Sequence, residues 1–207
     1  MRSKGIVATL IILLVIVIDQ SLKIWIKTHF YLGEDYKIFS WFYLYFIVNN
    51  GMAFGMEFGS KLLLTLFRIV AVAFLIWYIV RTYRIPKVPM GYVVSLSLIT
   101  AGAAGNIFDC VFYGLIFNNP MPPEVASIFP AGGGYAEIFH GRVVDMLYFP
   151  LFSFTWPGWM PWVGGHEFLF FQPVFNIADA AITCGIFVLI LFYHKYILSP
   201  KALESLA

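Results

Sequence analysis

Charged residues are scarce in this sequence: Asp, Glu, Lys and Arg make up only 12% of its 207 residues, about half the roughly 25% usual in soluble domains. Hydrophobic residues make up 61%, against about 45–50% in such domains. A soluble fold of this size could neither bury that much apolar surface nor cover its exterior with so few charges. The composition therefore excludes a disordered chain and a soluble nucleic-acid-binding protein, and it predicts an integral membrane protein.

Cysteine is also scarce. The two cysteines, Cys110 and Cys184, lie in or next to apolar runs. Thiols in such surroundings usually behave as small buried hydrophobic groups, so we expect no disulfide between them. This excludes a small disulfide-stabilised scaffold.

Long apolar runs are abundant, and four of them are long enough to cross a hydrocarbon core of about 30 Å, which requires about 20 helical residues. They extend approximately over residues 6–26, 62–80, 90–113 and 174–198. We predict an all-α integral membrane protein in which four transmembrane helices form a single membrane domain over residues 1–207. Two long connections, over 27–61 and 114–173, separate the first helix from the second and the third from the fourth.

The positions of lysine and arginine predict the orientation of these helices. Three groups of basic residues flank the predicted helices and fall on one side of a four-span topology: Arg2 and Lys4; Arg81, Arg84 and Lys87; Lys195 and Lys201. Because basic loops remain on the cytoplasmic side, both termini are predicted to be cytoplasmic. The two long connections then lie on the outer side of the membrane.

The two outer connections differ in composition. The first contains aromatic and β-branched residues from Phe39 to Val48, followed by Asn49-Asn50-Gly51. This pattern predicts short strands and a turn, which would form a small β-rich platform on the outer face. The second is about 60 residues long and rich in proline and glycine. Loops of this length are usually functional or partly disordered.

Ionisable and amide side chains occur inside or at the edge of the predicted spans. They are Asp19 and Lys23 on the first helix, Asn106 and Asp109 on the third, Asp145 in the second outer loop, and Asn176 and Asp179 at the start of the fourth. The topology places all four aspartates near the outer face. Taken separately, Asp19 and Lys23 could form an intrahelical ion pair, and Asn106 and Asn176 could form interhelical hydrogen bonds. Together they predict a functional site, because isolated charges in a membrane are costly.

Elimination narrows the chemistry that this site could perform. Ser95 and Ser97 lie toward the other end of the third helix, and the sequence contains no HExxH metal-binding pattern. Two possibilities remain for the carboxylates. A pair of aspartates could share a proton and activate water, or several aspartates could hold a divalent cation.

Five segments, in chain order, resemble the motifs of one family, the lipoprotein signal peptidases or signal peptidase II. They are Asp19-Gln20-Ser21-Leu22-Lys23, Asn50-Gly51-Met52-Ala53-Phe54-Gly55, Gly102 to Asp109, Gly141-Arg142-Val143-Val144-Asp145, and Phe175-Asn176-Ile177-Ala178-Asp179. Each segment alone is a weak signal, whereas five of them in the right order on a four-span frame are highly specific.

The resemblance implies an intramembrane aspartic endopeptidase that removes signal peptides from diacylglyceryl-modified prolipoproteins by cleaving before the lipidated cysteine. Asp145 and Asp179 would be the catalytic pair. The residues implied to position the substrate or support the site are Asp19, Lys23, Asn50, Gly51, Asn106, Asp109, Arg142 and Asn176. No metal or organic cofactor and no nucleic acid is implied. The expected partners are the prolipoprotein and membrane lipid, and the enzyme is expected to be a monomer.

The sequence departs from the family pattern at two points. Cys110 follows Asp109 where the family usually has arginine, and residues 117–140 look like an insertion. Arg68 lies about 10 Å into the second helix, in the same outer half as the aspartates. We hypothesise that it supplies the charge missing at position 110 by pairing with Asp109 or its neighbours. The alternative is that its side chain extends to the outer headgroups.

Two other functional classes are consistent with membrane carboxylates. One is a small ion- or proton-coupled transporter. However, the carboxylates cluster at one face rather than at the midplane, where transport sites usually lie. The other is a metal-dependent enzyme acting on lipid phosphates, whose activity a strong chelator would remove.

Overall fold

The structure is a computed structural model that describes residues 2–49 and 61–198. The helices are α1 (Arg2–His29), α2 (Lys61–Tyr83), α3 (Met90–Ile116), α4 (Ile177–Phe192) and α5 (His194–Leu198). The strands are β1 (Asp35–Phe39), β2 (Phe42–Asn49), β3 (Val143–Tyr148), β4 (Phe152–Thr155), β5 (Glu167–Phe170) and β6 (Val174–Phe175).

Among the described residues, three helical stretches are long and apolar enough to cross a membrane: Ser3–His29, Lys61–Tyr83 and Met90–Ile116. In α3, 56% of the most apolar stretch is buried inside the protein, compared with 17% in α1 and in α2. The third helix is therefore the centre of the bundle, and it packs against α1, α2 and α4. The exposed Leu, Ile, Val and Phe side chains of α1 and α2 suit contact with lipid rather than water.

Two glycines allow the neighbouring helices to approach α3 closely. A Cβ atom on Gly105 would lie 2.9 Å from Oδ2 of Asp19, on α1. A Cβ atom on Gly102 would collide with the carbonyl oxygen of Ala178, on α4. Small residues allow close backbone approach in membrane helix pairs. Here they bring the polar residues of three helices within hydrogen-bonding reach of one another.

The fourth predicted span differs from the structure. We predicted one helix over 174–198, but Val174–Phe175 pairs with Leu147 and Tyr148 as strand β6. The helix begins only at Ile177 because Asn176 forms a capping box with Asp179. It ends at Phe192, and the next residue, Tyr193, packs its ring against Tyr92 at the start of α3. The resulting helix has 16 residues, a length of about 24 Å.

The ends of the other helices also lie beyond the predicted limits. The first extends over Arg2–His29 rather than 6–26, the second over Lys61–Tyr83 rather than 62–80, and the third over Met90–Ile116 rather than 90–113. Hydropathy locates the most apolar part of a helix, whereas the backbone hydrogen bonds continue beyond it, into the polar residues 27–29 at the end of α1 and into residues 114–116 at the end of α3.

A four-stranded antiparallel sheet, in the order β1-β2-β3-β6, joins the segment between α1 and α2 to the segment between α3 and α4. Strands β1 and β2 form a hairpin whose turn is at residues 40–41. Strand β2 falls in the segment 39–48 that was predicted to contain strands, whereas β1 lies almost entirely before it, and most of the predicted turn at Asn49-Asn50-Gly51 lies outside the described residues. Strand β3 lies between β2 and β6 and brings Asp145 opposite Ile47. The second connection was predicted only as a loop, yet it contains β3 and the separate β4–β5 hairpin.

The segment 117–140 carries no helix and no regular strand, but it is tied to the end of α3 by backbone hydrogen bonds. The carbonyl oxygens of Cys110, Val111, Gly114 and Ile116 accept from the backbone N–H groups of Gly141, Phe139, Ala136 and Phe129 respectively. The last carbonyls of a helix have no partner within the helix. The segment therefore satisfies the end of α3 and leads the chain directly into β3.

Candidate active site

Lys23 is the centre of a buried ionic cluster that links α1 to α3. Its ammonium group lies 2.8 Å from Oδ2 of Asp19 and 2.8 Å from Oδ2 of Asp109. It also donates to Oδ1 of Asn106 at 2.9 Å. These contacts use all three donors of the ammonium group. Lys23, Asp19 and Asp109 are each 0% exposed, so these charges depend on one another rather than on water.

The remaining lone pairs of the two carboxylates are also hydrogen-bonded. Oδ1 of Asp19 accepts from the backbone N–H of Ala178 at 2.9 Å, which fixes the start of α4 against α1. Oδ1 of Asp109 accepts from the Gln20 amide at 2.8 Å, and its Oδ2 accepts from the backbone N–H of Val144 at 3.3 Å. The cluster thus positions β3 and α4, the two elements that carry Asp145 and Asp179.

Asn176 connects the other two aspartates. Its side-chain amide donates to Oδ1 of Asp145 at 2.7 Å, and its backbone N–H donates to Oδ2 of Asp179 at 3.4 Å. Asn106 donates to Oδ1 of Asp179 at 2.8 Å and accepts from the Asn176 amide at 3.2 Å. Two carboxylates that are far apart in sequence therefore share one amide network at the start of α4.

The surroundings of Asp145 favour its protonated form. Asp145 is 2% exposed, and this burial, together with the nearby charge of Asp179, raises the pKa of Asp145 to about 7. Hydrogen bonds from Asn176 and Asn49 oppose the rise because they favour the ionised form. Asp179 is only half-buried. Within the described residues 2–49 and 61–198, the aspartates that form ion pairs are Asp19 and Asp109, not Asp145 or Asp179.

Arg142 is held by Tyr135, a residue of the segment 117–140. The backbone N–H of Arg142 donates to the Tyr135 hydroxyl at 2.7 Å, and its guanidinium lies 5.6 Å from the centre of the ring. The same ring contacts Lys27, whose ammonium is 5.4 Å from its centre. Lys27 also lies over Phe46 and Phe117. These cation–π contacts join the segment to α1 and to β2.

Arg68 does not pair with Asp109, contrary to one form of our hypothesis. The carboxylate of Asp109 is occupied by Lys23, Gln20 and the backbone of Val144. Instead, Nη1 of Arg68 lies 3.7 Å from Sγ of Cys110. Its guanidinium group is therefore placed against the side chain of residue 110, where our hypothesis expects a charge to be missing.

The structure brings most of the predicted site residues together. Asp19, Lys23, Asn106 and Asp109 form the ionic cluster, and Asn106 and Asn176 join it to Asp145 and Asp179. Arg142 stands three residues before Asp145, at the entry to β3. The predicted residues Asn50 and Gly51 lie outside the described residues.

Sequence reasoning missed three polar contacts of this site. Gln20 joins Asp19 to Asp109, and an amide inside an apolar helix is a signal that could have been used. Asn49 donates to Oδ2 of Asp145. It is the diagonal neighbour of Asp145 across β2 and β3, a relation that needs the strand register. The role of Tyr135 in holding Arg142 has no sequence signal.

Known proteins resemble this chain over nearly all its length. Residues 11–195 match the family described as Signal peptidase (SPase) II. A lipoprotein signal peptidase from Porphyromonas gingivalis is 47% identical over 93% of this chain and 84% of its own length. One from Amoebophilus asiaticus is 38% identical over 92% of this chain and 78% of its own.

The fold has a solved counterpart as well. A bacterial membrane enzyme, solved by the in meso method at 2.3 Å resolution, superposes with a TM-score of 0.62. The two chains share 23% identity, and the match covers 91% of this chain and 88% of the other. The apolar helices and this likeness define a multi-pass membrane protein.

The chain belongs to the signal peptidase II family. It is a protease of lipoprotein maturation that processes signal peptides, which confirms the resemblance drawn from the five sequence motifs.

Proposed function

We propose that the protein is an intramembrane aspartic endopeptidase with Asp145 and Asp179 as its catalytic pair. The observation that carries this proposal is the division of the four aspartates into two kinds. Asp19 and Asp109 are both ion-paired with Lys23, whereas Asp145 and Asp179 are held by amides that leave their protonation free to change. Amide donors orient a carboxyl group without binding its charge in an ion pair.

The pair would work by sharing one proton. Burial favours the protonated form of Asp145, and the half-buried Asp179 would be the ionised base. Asp179 would take a proton from a water molecule that attacks the scissile carbonyl carbon, while Asp145 would give its proton to the carbonyl oxygen. The resulting gem-diol would collapse as its C–N bond breaks: the ionised Asp145 would take back a proton from one hydroxyl, which becomes the carbonyl of the new carboxyl group, and the proton held by Asp179 would pass to the leaving nitrogen.

The proposed substrate is a prolipoprotein whose cysteine carries a diacylglyceryl group, cleaved just before that cysteine. The lipid would keep the scissile bond near the membrane surface, at the depth where α4 begins. The test is an assay with purified protein and a matched pair of substrates, one lipidated and one not. Cleavage of the lipidated form at that bond supports the proposal, and equal cleavage of both forms would refute the lipid requirement.

We further propose a four-span topology in which α4 and α5 together form the fourth crossing. Residues 177–198 would extend about 33 Å as helix. The Lys4 ammonium donates to the carbonyl oxygens of Pro86 and Val88, at 2.8 and 2.7 Å. This contact places the N-terminus beside the basic connection between α2 and α3, which supports cytoplasmic termini. The site and the sheet would then form the platform on the outer face of the bacterial inner membrane.

We also propose that the enzyme is a monomer, because the described site residues hydrogen-bond one another directly in a single network. Membership in a protease family favours peptide cleavage over ion- or proton-coupled transport. For a metal-dependent reaction on lipid phosphates, the same assay gives a direct test. Prolipoprotein cleavage that persists in a strong chelator would rule out a required divalent cation.

The pH dependence of cleavage is expected to reflect Asp145. As pH rises through about 7, Asp145 loses the proton that the reaction needs, so kcat/KM should fall. Asn49→Leu removes a hydrogen bond that favours the ionised form, so the falling part of the profile should move to higher pH. The exposed Asn119, changed to Leu, is the matched control and should leave the profile in place. An unchanged profile in Asn49→Leu would contradict this role for Asp145.

The contact between Arg68 and Cys110 makes a second prediction. If Arg68 supplies a charge that the site needs at this position, Arg68→Leu should lower kcat/KM by at least about tenfold, equivalent to about 1.4 kcal/mol. Adding Cys110→Arg should restore part of the activity. Arg81→Leu, near the other end of α2, is the control and should have little effect. Full activity in Arg68→Leu would show that cleavage does not need the charge of Arg68 and would contradict the hypothesis.

A further inference from the structure

The β4–β5 hairpin has two chemically different faces. Side chains alternate along its strands, so Phe152, Phe154, Trp156, Phe168 and Phe170 share one face, here called the aromatic face. Their rings contact one another: Phe152 stacks on Phe170 with centroids 4.9 Å apart, and Phe154 packs edge-on against Trp156 with centroids 4.7 Å apart. The opposite face carries Ser153, Thr155, Glu167 and Leu169.

The tip of this hairpin is apolar and exposed. Trp159 is 81% exposed and Trp162 is 97% exposed. Residues 149–165 contain no charged side chain. A loop that functions in water seldom combines two nearly fully exposed tryptophans with a complete lack of charge.

Part of the backbone of the tip is nevertheless hydrogen-bonded within the loop. Two hydrogen bonds close the loop: Trp156 N–H donates to the carbonyl oxygen of His166, and Gly165 N–H donates to the carbonyl oxygen of Trp156. Within the loop, Met160 N–H donates to Pro157 and Gly164 N–H donates to Met160. A segment can enter a medium poor in water only when its backbone groups have such partners.

A continuous series of aromatic contacts links the base of the hairpin to the start of α4. Phe171, just after β5, packs edge-on against Phe175 with centroids 5.9 Å apart. Phe175 stacks on Phe149 at 5.6 Å, and Phe149 stacks on Trp41 at 6.1 Å. Phe175 directly precedes Asn176, the cap of the apolar helix α4. The base of the hairpin is therefore at the level where α4 starts.

We propose that the β4–β5 hairpin is a membrane-surface anchor whose aromatic face and tryptophan tip lie in the headgroup layer of the outer leaflet. Tryptophan favours this layer because its ring is apolar while its N–H group can bind water or headgroups. The opposite face of the hairpin, which carries Glu167, would remain in water. The anchor proposal depends on the proposed topology only for the choice of the outer leaflet, and it does not depend on the proposed protease chemistry.

The test uses the full-length protein in phosphatidylcholine vesicles, with a fluorescent NBD label on one introduced cysteine at a time. Trp159→Cys and Trp162→Cys probe the tip, and Ser153→Cys and Thr155→Cys are matched controls on the opposite face. All variants also carry Cys184→Ala, because Cys184 is exposed and would react with the label. Cys110 is buried and can remain. Val163→Cys probes the tip with both tryptophans in place. Cleavage of a lipidated prolipoprotein shows which labelled variants are folded.

Labels at the tip should be quenched by lipids that carry a shallow nitroxide, and quenching by iodide in the water should be several-fold weaker than at positions 153 and 155. If iodide quenches tip and control labels equally, the hairpin stands in water and the proposal fails. Protection from both quenchers would mean that a second copy or another protein covers the tip, which also overturns it. Either failure would leave the proposed protease chemistry untouched.

Discussion

Asp145→Asn and Asp179→Asn are each expected to abolish signal-peptide cleavage while the protein still folds and inserts. Each carboxyl group changes its protonation state during the proposed reaction, and an amide cannot do so. General acid–base catalysis contributes about 10²–10⁴-fold, so each variant should retain less than about a hundredth of the wild-type kcat. The measurement is cleavage of a diacylglyceryl-modified prolipoprotein by purified protein.

The control for this prediction is Asp35→Asn, because Asp35 is an exposed aspartate at the start of β1. It should retain full activity. Thermal unfolding in detergent should be similar for both site variants and the wild type, which separates loss of chemistry from loss of fold. If either variant keeps more than about a hundredth of the wild-type kcat, the assignment of that residue is wrong.

Lys23→Met should have the largest effect on stability. Lys23 is fully buried and is the shared partner of Asp19 and Asp109. Methionine has a similar length but no charge, so two buried carboxylates would face each other without a cation. Removing one partner of a buried ion pair typically costs about 3–5 kcal/mol. We expect a loss of that size in the free energy of unfolding, and with it a loss of cleavage.

A compensating variant distinguishes charge from packing in this prediction. Asp19→Asn and Asp109→Asn, added to Lys23→Met, remove the unpaired negative charges and should recover part of the stability. Lys37→Met, at an exposed lysine on β1, should change stability little. If the triple variant is no more stable than Lys23→Met alone, repulsion between the carboxylates is not the cause of the loss.

The fourth helix illustrates how far sequence patterns reach. Residues 174–198 form one mostly apolar run, and this pattern predicts one long helix. The true start is set by a capping box, Asn176 with Asp179, which is visible in the sequence as a polar residue followed three positions later by an acid. The pairing of Val174–Phe175 with β3 is not visible, because its partner lies far away in the chain.

Strand β3 shows the opposite case. Val143 to Tyr148 is a short apolar run within a loop rich in proline and glycine, and such a run alone does not distinguish a strand from an irregular segment. Its neighbours β2 and β6 supply the hydrogen bonds that make it a strand. Strand β2 was predicted more accurately, because its own residues are rich in aromatic and β-branched side chains, whereas its partner β1 lies almost entirely before the predicted segment.

The sequence by itself determined that this is a multi-pass membrane protein of the signal peptidase II family, because hydropathy and short motifs are local properties of the chain. It also identified the four aspartates as one candidate site. Only the tertiary structure decided how they differ: the ammonium of Lys23 reaches Asp19 and Asp109, while the amide of Asn176 reaches Asp145. Those contacts join α1, α3, β3 and α4, and their distances depend on helix packing and strand register that no local pattern records.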